Sequence, residues 1–389
     1  MPKNIVFFVH GVGQHKTGWS TAPDGPVNAL NQAMQLYPKC FPAGKKLEDY
    51  LKVVEIRYDD IFDTVFDRWK QLADTLPQNS GFEWVNAVKE LMSATGGKKE
   101  LFLRYGGDVL LYCGFELVAR TVRLRVNSII ATKIYQTHLT AKAHNEIVPK
   151  FGVIAHSLGT TVIQDALYQL ATGDWLSDVE QNAAKPSRIQ PAPYLTEADH
   201  NTYQDVIRGA KVHQDRPLPA NIYALFLVSN TAPLLKRSGD YITLRTSGIY
   251  DCDSVYNINH ELDPVSRICG GFTMRNPRGA HTSWINIATR QIHEKNIHGF
   301  GHYLSHPHVH SSIFSELLEP VFTDDFFNDA RVLSNVPEWN GFGGSLAQLE
   351  QTAQKVLVDQ LGSIASTQGK PEALLRNAIE ALATQFGGK

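Results

Sequence analysis

Little in this sequence points to disulfides, structural metal or nucleic acid. Its 389 residues include four cysteines, Cys40, Cys113, Cys252 and Cys269, scattered with no CxxC pair. That spacing excludes a zinc ribbon or a Cys/His finger and reads as incidental thiols in a reducing compartment. An excess of one charge sign is also lacking. The formal net charge is −2, so no nucleic-acid groove is expected. Long apolar runs are missing too. The opening MPKNIVFFVHG is too short for a membrane span and has no small-residue cleavage site. Cytoplasmic residence is therefore the expectation, with export by a route that uses no signal peptide left open. There is no HExxH string, no internal repeat and no low-complexity segment.

What is present suits a globular chain with a full-sized core, 43% hydrophobic and 20% charged. Asn4–Val9 is a near-continuous apolar run of the kind that forms a strand buried on both faces. Residues 52–58, 151–155, 223–228 and 254–262 supply four more strand candidates, the last less apolar. Helical patterns separate several of them. This alternation predicts an α/β fold with a mainly parallel sheet flanked by helices. A helical insertion spans about 62–145, with Val122, Val126, Ile129 and Ile130 at helical spacing. It reads as amphipathic helices packed on the sheet or as a lid over it. Residues 174–219 form a polar, proline-bearing excursion. The main domain is expected to cover 1–326. A helical tail follows over 327–389, with a capping box at Ser345–Gln348 and a second helix from Pro371.

The segment FGVIAHSLGTT, Phe151–Thr161, carries the chemistry. An apolar run ends at Ser157, and Val162, Ile163, Ala166, Leu167 and Leu170 then recur at helical spacing up to Gly173. A serine at a strand-to-helix corner is either an ordinary N-cap or a nucleophile on a strained turn. The second requires small residues two before and two after, where strand and helix approach closely. They are Ala155 and Gly159.

With FFVHGVGQH near the start, the AHSLG segment resembles the α/β-hydrolase superfamily and is most similar to its lipase and esterase branch. The likeness covers about residues 3–320, with specific motifs in four short places. It implies an oxyanion hole from the Val12 and Leu158 N–H groups, and His10 as a structural part of its loop. It also implies the order serine, acid, histidine. For the acid, VYNINHELDPVSR offers Asp263 at a strand end before Pro264; Asp251 and Asp253 precede that strand. An Asp before Pro is also a good N-cap. For the base, GHYLSHPHV resembles the His-Tyr segment of relatives and points to His302, with His298 as the alternative. His293, His306, His308 and His310 read as a solvated loop. SNTAPLL, after the fourth strand, resembles a loop near the acyl pocket of relatives.

The implied activity is that of a serine hydrolase cleaving carboxylic esters through an acyl-enzyme: a lipase, phospholipase or esterase needing no cofactor. A thioesterase or amidase could use the same triad. A non-catalytic binding or effector module on a hydrolase scaffold is the reading from another class. The substrate would be a small-molecule or lipid ester, with a peripheral lipid contact if the insertion is a lid. His302, His306 and His310 lie four apart, but Gly301 and Pro307 interrupt any helix through them, so no metal is expected. Oligomeric state is not legible.

Overall fold

The computed structural model describes residues 2–65, 67, 108–109, 111–113, 116–172, 222–235, 252–263, 265–266, 283–290, 298–318 and 324–335. Among the described residues six parallel strands form one sheet: β1 (Asn4–Val9), β2 (Leu51–Ile56), β3 (Phe151–His156), β4 (Ile222–Val228), β5 (Cys252–His260) and β6 (Ser283–Thr289). Their order across the sheet is β2-β1-β3-β4-β5-β6. The apolar runs predict five of these. β6 is the addition: an edge strand whose Ile285 is exposed and whose Ser283 and Asn286 face solvent. It lacks the continuous apolar stretch that burial on both faces imposes on β1, β3 and β4.

The flanking helices among the described residues are α1 (Pro26–Met34), α2 (Leu47–Tyr50), α3 (Glu116–His144), α4 (Leu158–Thr172), α5 (Ala232–Leu235), α6 (Phe300–Leu304), α7 (Pro307–Leu317) and α8 (Asp324–Asn335). Alternation along β1 assigns them to layers. Ile5, Phe7 and Val9 point to one face and pack with Val122, Val126 and Ile130 of α3 and Val162, Ile163 and Ala166 of α4. Val6 and Phe8 point to the other, with Leu30 of α1, Tyr303 and Leu304 of α6 and Ile313 and Phe314 of α7. The result is a helix–sheet–helix sandwich with two cores, one on each side of the sheet.

At the C-terminal end of the insertion the structure follows the first of the two readings, a helix packed on the sheet. α3 is part of the sheet's covering layer, and it is buried beyond a single apolar stripe. Arg123, Arg125, Asn127 and Ser128 are inside along with the aliphatic residues. Such a helix must satisfy its charges internally, and Arg125 does so with Asp60, 2.5 Å away. Most of the insertion before 108, the excursion 174–219 and the tail beyond 335 lie outside the described residues. Among the described residues no helix is long and apolar enough to cross a membrane.

Strand order positions the site. From β1 the chain moves to β2 on one side, then returns to β3 on the other. The crevice at the carboxyl ends of β1 and β3 is where such a reversal favours ligand binding. The His10–His15 loop and Ser157 both sit there.

Candidate active site

Ser157 stands between the last residue of β3 and the first of α4, with φ at 52°. A left-handed conformation is costly for a side chain with a Cβ and persists where the surroundings enforce it. Here they do. The Ser157 N–H bonds to the Val228 carbonyl at 2.9 Å. The Ser157 carbonyl accepts from Thr160 N–H at 2.8 Å, from Thr160 Oγ1 at 2.7 Å and from Thr231 Oγ1 at 2.9 Å. Close approach explains the small neighbours. A Cβ on Gly159 would lie 2.2 Å from the His10 carbonyl oxygen, and one on Gly11 would lie 2.8 Å from Ser157 Cβ. The turn at Ser157 and the β1 loop therefore interlock through two glycines.

The Ser157 hydroxyl does not cap its helix. Oγ lies 3.0 Å from His298 Nε2, and His298 Nδ1 lies 2.9 Å from Asp263 Oδ2. Asp263 is completely buried. Its Oδ2 also accepts from Tyr303 OH at 2.6 Å, Ser229 Oγ at 2.7 Å and Ser266 Oγ at 3.2 Å. Its Oδ1 accepts the Val265 N–H at 2.9 Å, so the carboxylate serves as a local cap as well. Burial pushes this carboxyl up, but the His298 imidazole and the hydrogen bonds from His298, Tyr303 and Ser229 outweigh it. The net effect holds Asp263 well below the usual carboxylate range. It is an ionised acceptor, and it selects the His298 tautomer with hydrogen on Nδ1 and a lone pair on Nε2 facing Ser157.

The histidine beside Ser157 is thus His298, and the expectation of His302 is corrected. His298 lies in the turn before α6, whereas His302 is inside that helix, buried with its ring 5.0 Å from the His260 ring. The His-Tyr segment does reach the site, but through Tyr303. Two of the remaining histidines are also not solvated. His306 is buried as the N-cap of α7. His310 is buried between the Leu304 carbonyl at 3.1 Å and the Tyr37 hydroxyl at 2.8 Å. His308 is exposed, as expected, and His293 lies outside the described residues. α6 ends at Leu304 and α7 begins at Pro307, so the four-residue histidine spacing does not fall on one helix. Among the described residues no group of three metal-ligating side chains is assembled. Asp253 is exposed at the opposite end of β5, and Asp251 lies outside the described residues.

The loop after β1 is pinned by two carboxylates. Gly13 N–H bonds to Asp108 Oδ2 at 2.9 Å, and His15 N–H bonds to Asp59 Oδ2. Burial pushes Asp59 up, but the His10 imidazole and the His15 N–H bring it down to about 2. Asp108 goes the other way, held well above the usual range by burial. His10 is built into the loop. Its ring stacks between Tyr58 and His15 at 4.2 Å each, and Nδ1 bonds to the Gly11 carbonyl at 2.6 Å. With Gly13 and His15 N–H engaged, Val12 N–H has no hydrogen-bond partner among the described residues, and neither does Leu158 N–H at the start of α4.

Sequence reading missed Ser229, Ser266, Tyr303, Asp59, Asp108 and His156. For Ser229 a signal existed. It follows β4 as Ser157 follows β3, with φ at 50° and its N–H on the next strand's Ile258 carbonyl at 2.8 Å. No protein-family model matches this chain, and no curated protein matches it in sequence.

Proposed function

We propose that this chain is a serine hydrolase of the α/β-hydrolase type that cleaves carboxylic esters through an acyl-enzyme. The observation that carries the reading is the hydrogen-bonded series Ser157–His298–Asp263, with steps of 3.0 and 2.9 Å. It stands at the sheet's switch point beside two N–H groups that have no partner among the described residues.

In this reading His298 Nε2 takes the hydroxyl proton as Ser157 Oγ attacks the ester carbonyl carbon. The developing oxyanion sits against Val12 and Leu158 N–H, where the helix dipole favours negative charge. Asp263 holds the imidazolium. His298 then protonates the leaving alcohol, and a water activated by the same histidine releases the acid and restores Ser157. The steps use side chains and backbone N–H groups of this chain together with water, and need no cofactor. A lipid ester is the favoured substrate class if the insertion before residue 108 acts as a lid. A thioester or amide would demand the same groups.

The test is an alkyl fluorophosphonate probe together with short p-nitrophenyl esters. Labelling at Ser157 and hydrolysis, both lost in Ser157→Ala, are expected. An intact protein that neither labels nor turns over esters would overturn the enzyme reading and favour a binding module on this scaffold.

A further inference from the structure

His156 immediately precedes Ser157, and the triad does not use it. It is buried, and its Nε2 lies 2.7 Å from the His298 carbonyl oxygen. A carbonyl can only accept, so Nε2 carries the hydrogen. Burial and the neighbouring His298 hold the His156 ring well below the ordinary histidine range, so it stays neutral beside the base. The ring also stacks on Phe300, with centroids 4.8 Å apart and planes 12° from parallel. A Cβ on Gly11 would lie 3.2 Å from His156 Nδ1, so the ring borders the β1 loop as well.

These contacts join three parts of the site through one side chain. His298 lies in a turn, where backbone direction is not set by a helix. Its two ring hydrogen bonds hold only while that backbone stays put. His156 grips the segment at two points, the carbonyl of residue 298 and the ring of residue 300. We infer that His156 is a positioning residue for the proposed hydrolysis: its Nε2–H fixes the backbone of His298, so that Nε2 of the base stays aimed at Ser157. The inference rests on the Ser157–His298–Asp263 reading above.

Two variants separate the N–H from the ring. His156→Phe keeps an aromatic surface for Phe300 and deletes the donor. His156→Gln offers an amide N–H at similar reach. On p-nitrophenyl butyrate, kcat of His156→Phe should fall about 100-fold, as a displaced catalytic group would, with KM within about twofold. Fluorophosphonate labelling should slow in parallel, and His156→Gln should recover most of the loss. Wild-type kcat in His156→Phe, or His156→Gln as impaired as His156→Phe, would overturn the inference. A measurement on the unmodified protein covers the case in which a variant does not fold. Nitrogen-15 NMR of labelled histidines should find His156 neutral with hydrogen on Nε2, and hydrogen on Nδ1 alone would overturn the contact. Wild type that fails to label removes the ester-hydrolase reading and this inference together. Wild type that labels, with His156→Phe labelling equally fast, removes this inference alone.

Discussion

Tyr303 donates its phenolic hydrogen to Asp263 Oδ2 at 2.6 Å, the same oxygen that faces His298 Nδ1 at 2.9 Å. One carboxylate oxygen thus takes hydrogen bonds from both the proposed base and a fully buried tyrosine. The tyrosine oxygen in turn accepts the His260 N–H at 3.2 Å, so its removal takes a donor from Asp263 and an acceptor from that amide.

Tyr303→Phe should therefore destabilise the fold by about 1–3 kcal/mol at neutral pH and lower kcat about tenfold. The pH dependence has a defined sign. Asp263 titrates in the folded protein below its ordinary 3.8. Its contribution to stability is complete above that value and is lost as pH falls through the lower folded value. Removing a donor moves the folded value back toward 3.8, so the deficit of the variant should narrow in acid. Urea unfolding of both proteins at neutral pH and in strong acid, below the folded value of Asp263 in the variant, checks this. A deficit that is constant with pH would mean the hydroxyl does not act through the Asp263 charge.

His298 and His302 are one helical turn apart in number but not in role. His298→Ala should lower kcat at least about 1,000-fold, because Ser157 would lose its proton acceptor, with little loss of fold. His302→Ala should leave kcat within about threefold while costing about 2 kcal/mol, since it empties a fully buried site beside His260. Ester kinetics and thermal unfolding on the same two proteins separate the cases. The reverse pattern would restore His302 as the base.

These residues mark where sequence is legible and where it is not. β1 is legible because both of its faces are buried, and a run of apolar residues is what that burial requires. Ser157 is legible because close approach of β3, α4 and the His10 carbonyl forces Gly159, a demand written at fixed spacing. The proposed base is not, because the choice between His298 and His302 turns on where a short helix begins, at Phe300. The donors to Asp263 are not legible either. Ser229 and Tyr303 are 34 and 40 residues away and meet it only through sheet order. α3 is legible as a helix, but its buried arginines follow from partners such as Asp60 on another element.

Gly159→Ala isolates the interlock at the Ser157 turn. Its Cβ would stand 2.2 Å from backbone oxygen, which cannot rotate away. The expected cost is about 3 kcal/mol or more, with Ser157 labelling lost as the β1 loop is pushed off that turn. Gly44→Ala is the control. Gly44 has φ of +80° but open space around it, so only the backbone conformation is penalised, by roughly 1–2 kcal/mol. Labelling should be unchanged there. Labelling retained in Gly159→Ala would show that the contact with the His10 carbonyl is relieved without moving the β1 loop.

Asp59 and Asp108 hold adjacent parts of the proposed oxyanion loop but should respond to pH in opposite directions. Asp59 is brought down to about 2, so its stabilisation is present above the ordinary 3.8 and is lost as pH falls through about 2. Asp108 is held well above 3.8 by burial. Between 3.8 and its folded value the unfolded chain ionises and the folded one does not, so its contribution to stability declines as pH rises. Asp59→Asn should accordingly lower the unfolding midpoint at neutral pH, with the deficit closing in strong acid. Asp108→Asn keeps an oxygen for the Gly13 N–H and cannot ionise. Its midpoint at neutral pH should equal or exceed wild type, and the advantage should vanish below pH 3.8. Asp108→Ala removes the acceptor, which should cost about 1–3 kcal/mol and lower kcat more than it raises KM, because Val12 N–H would lose its aim at the oxyanion. Thermal unfolding across pH and ester kinetics read both effects. If Asp108→Asn is destabilised at neutral pH as Asp59→Asn is, the carboxyl holding Gly13 is ionised, and a second negative charge stands beside the place where the oxyanion must form.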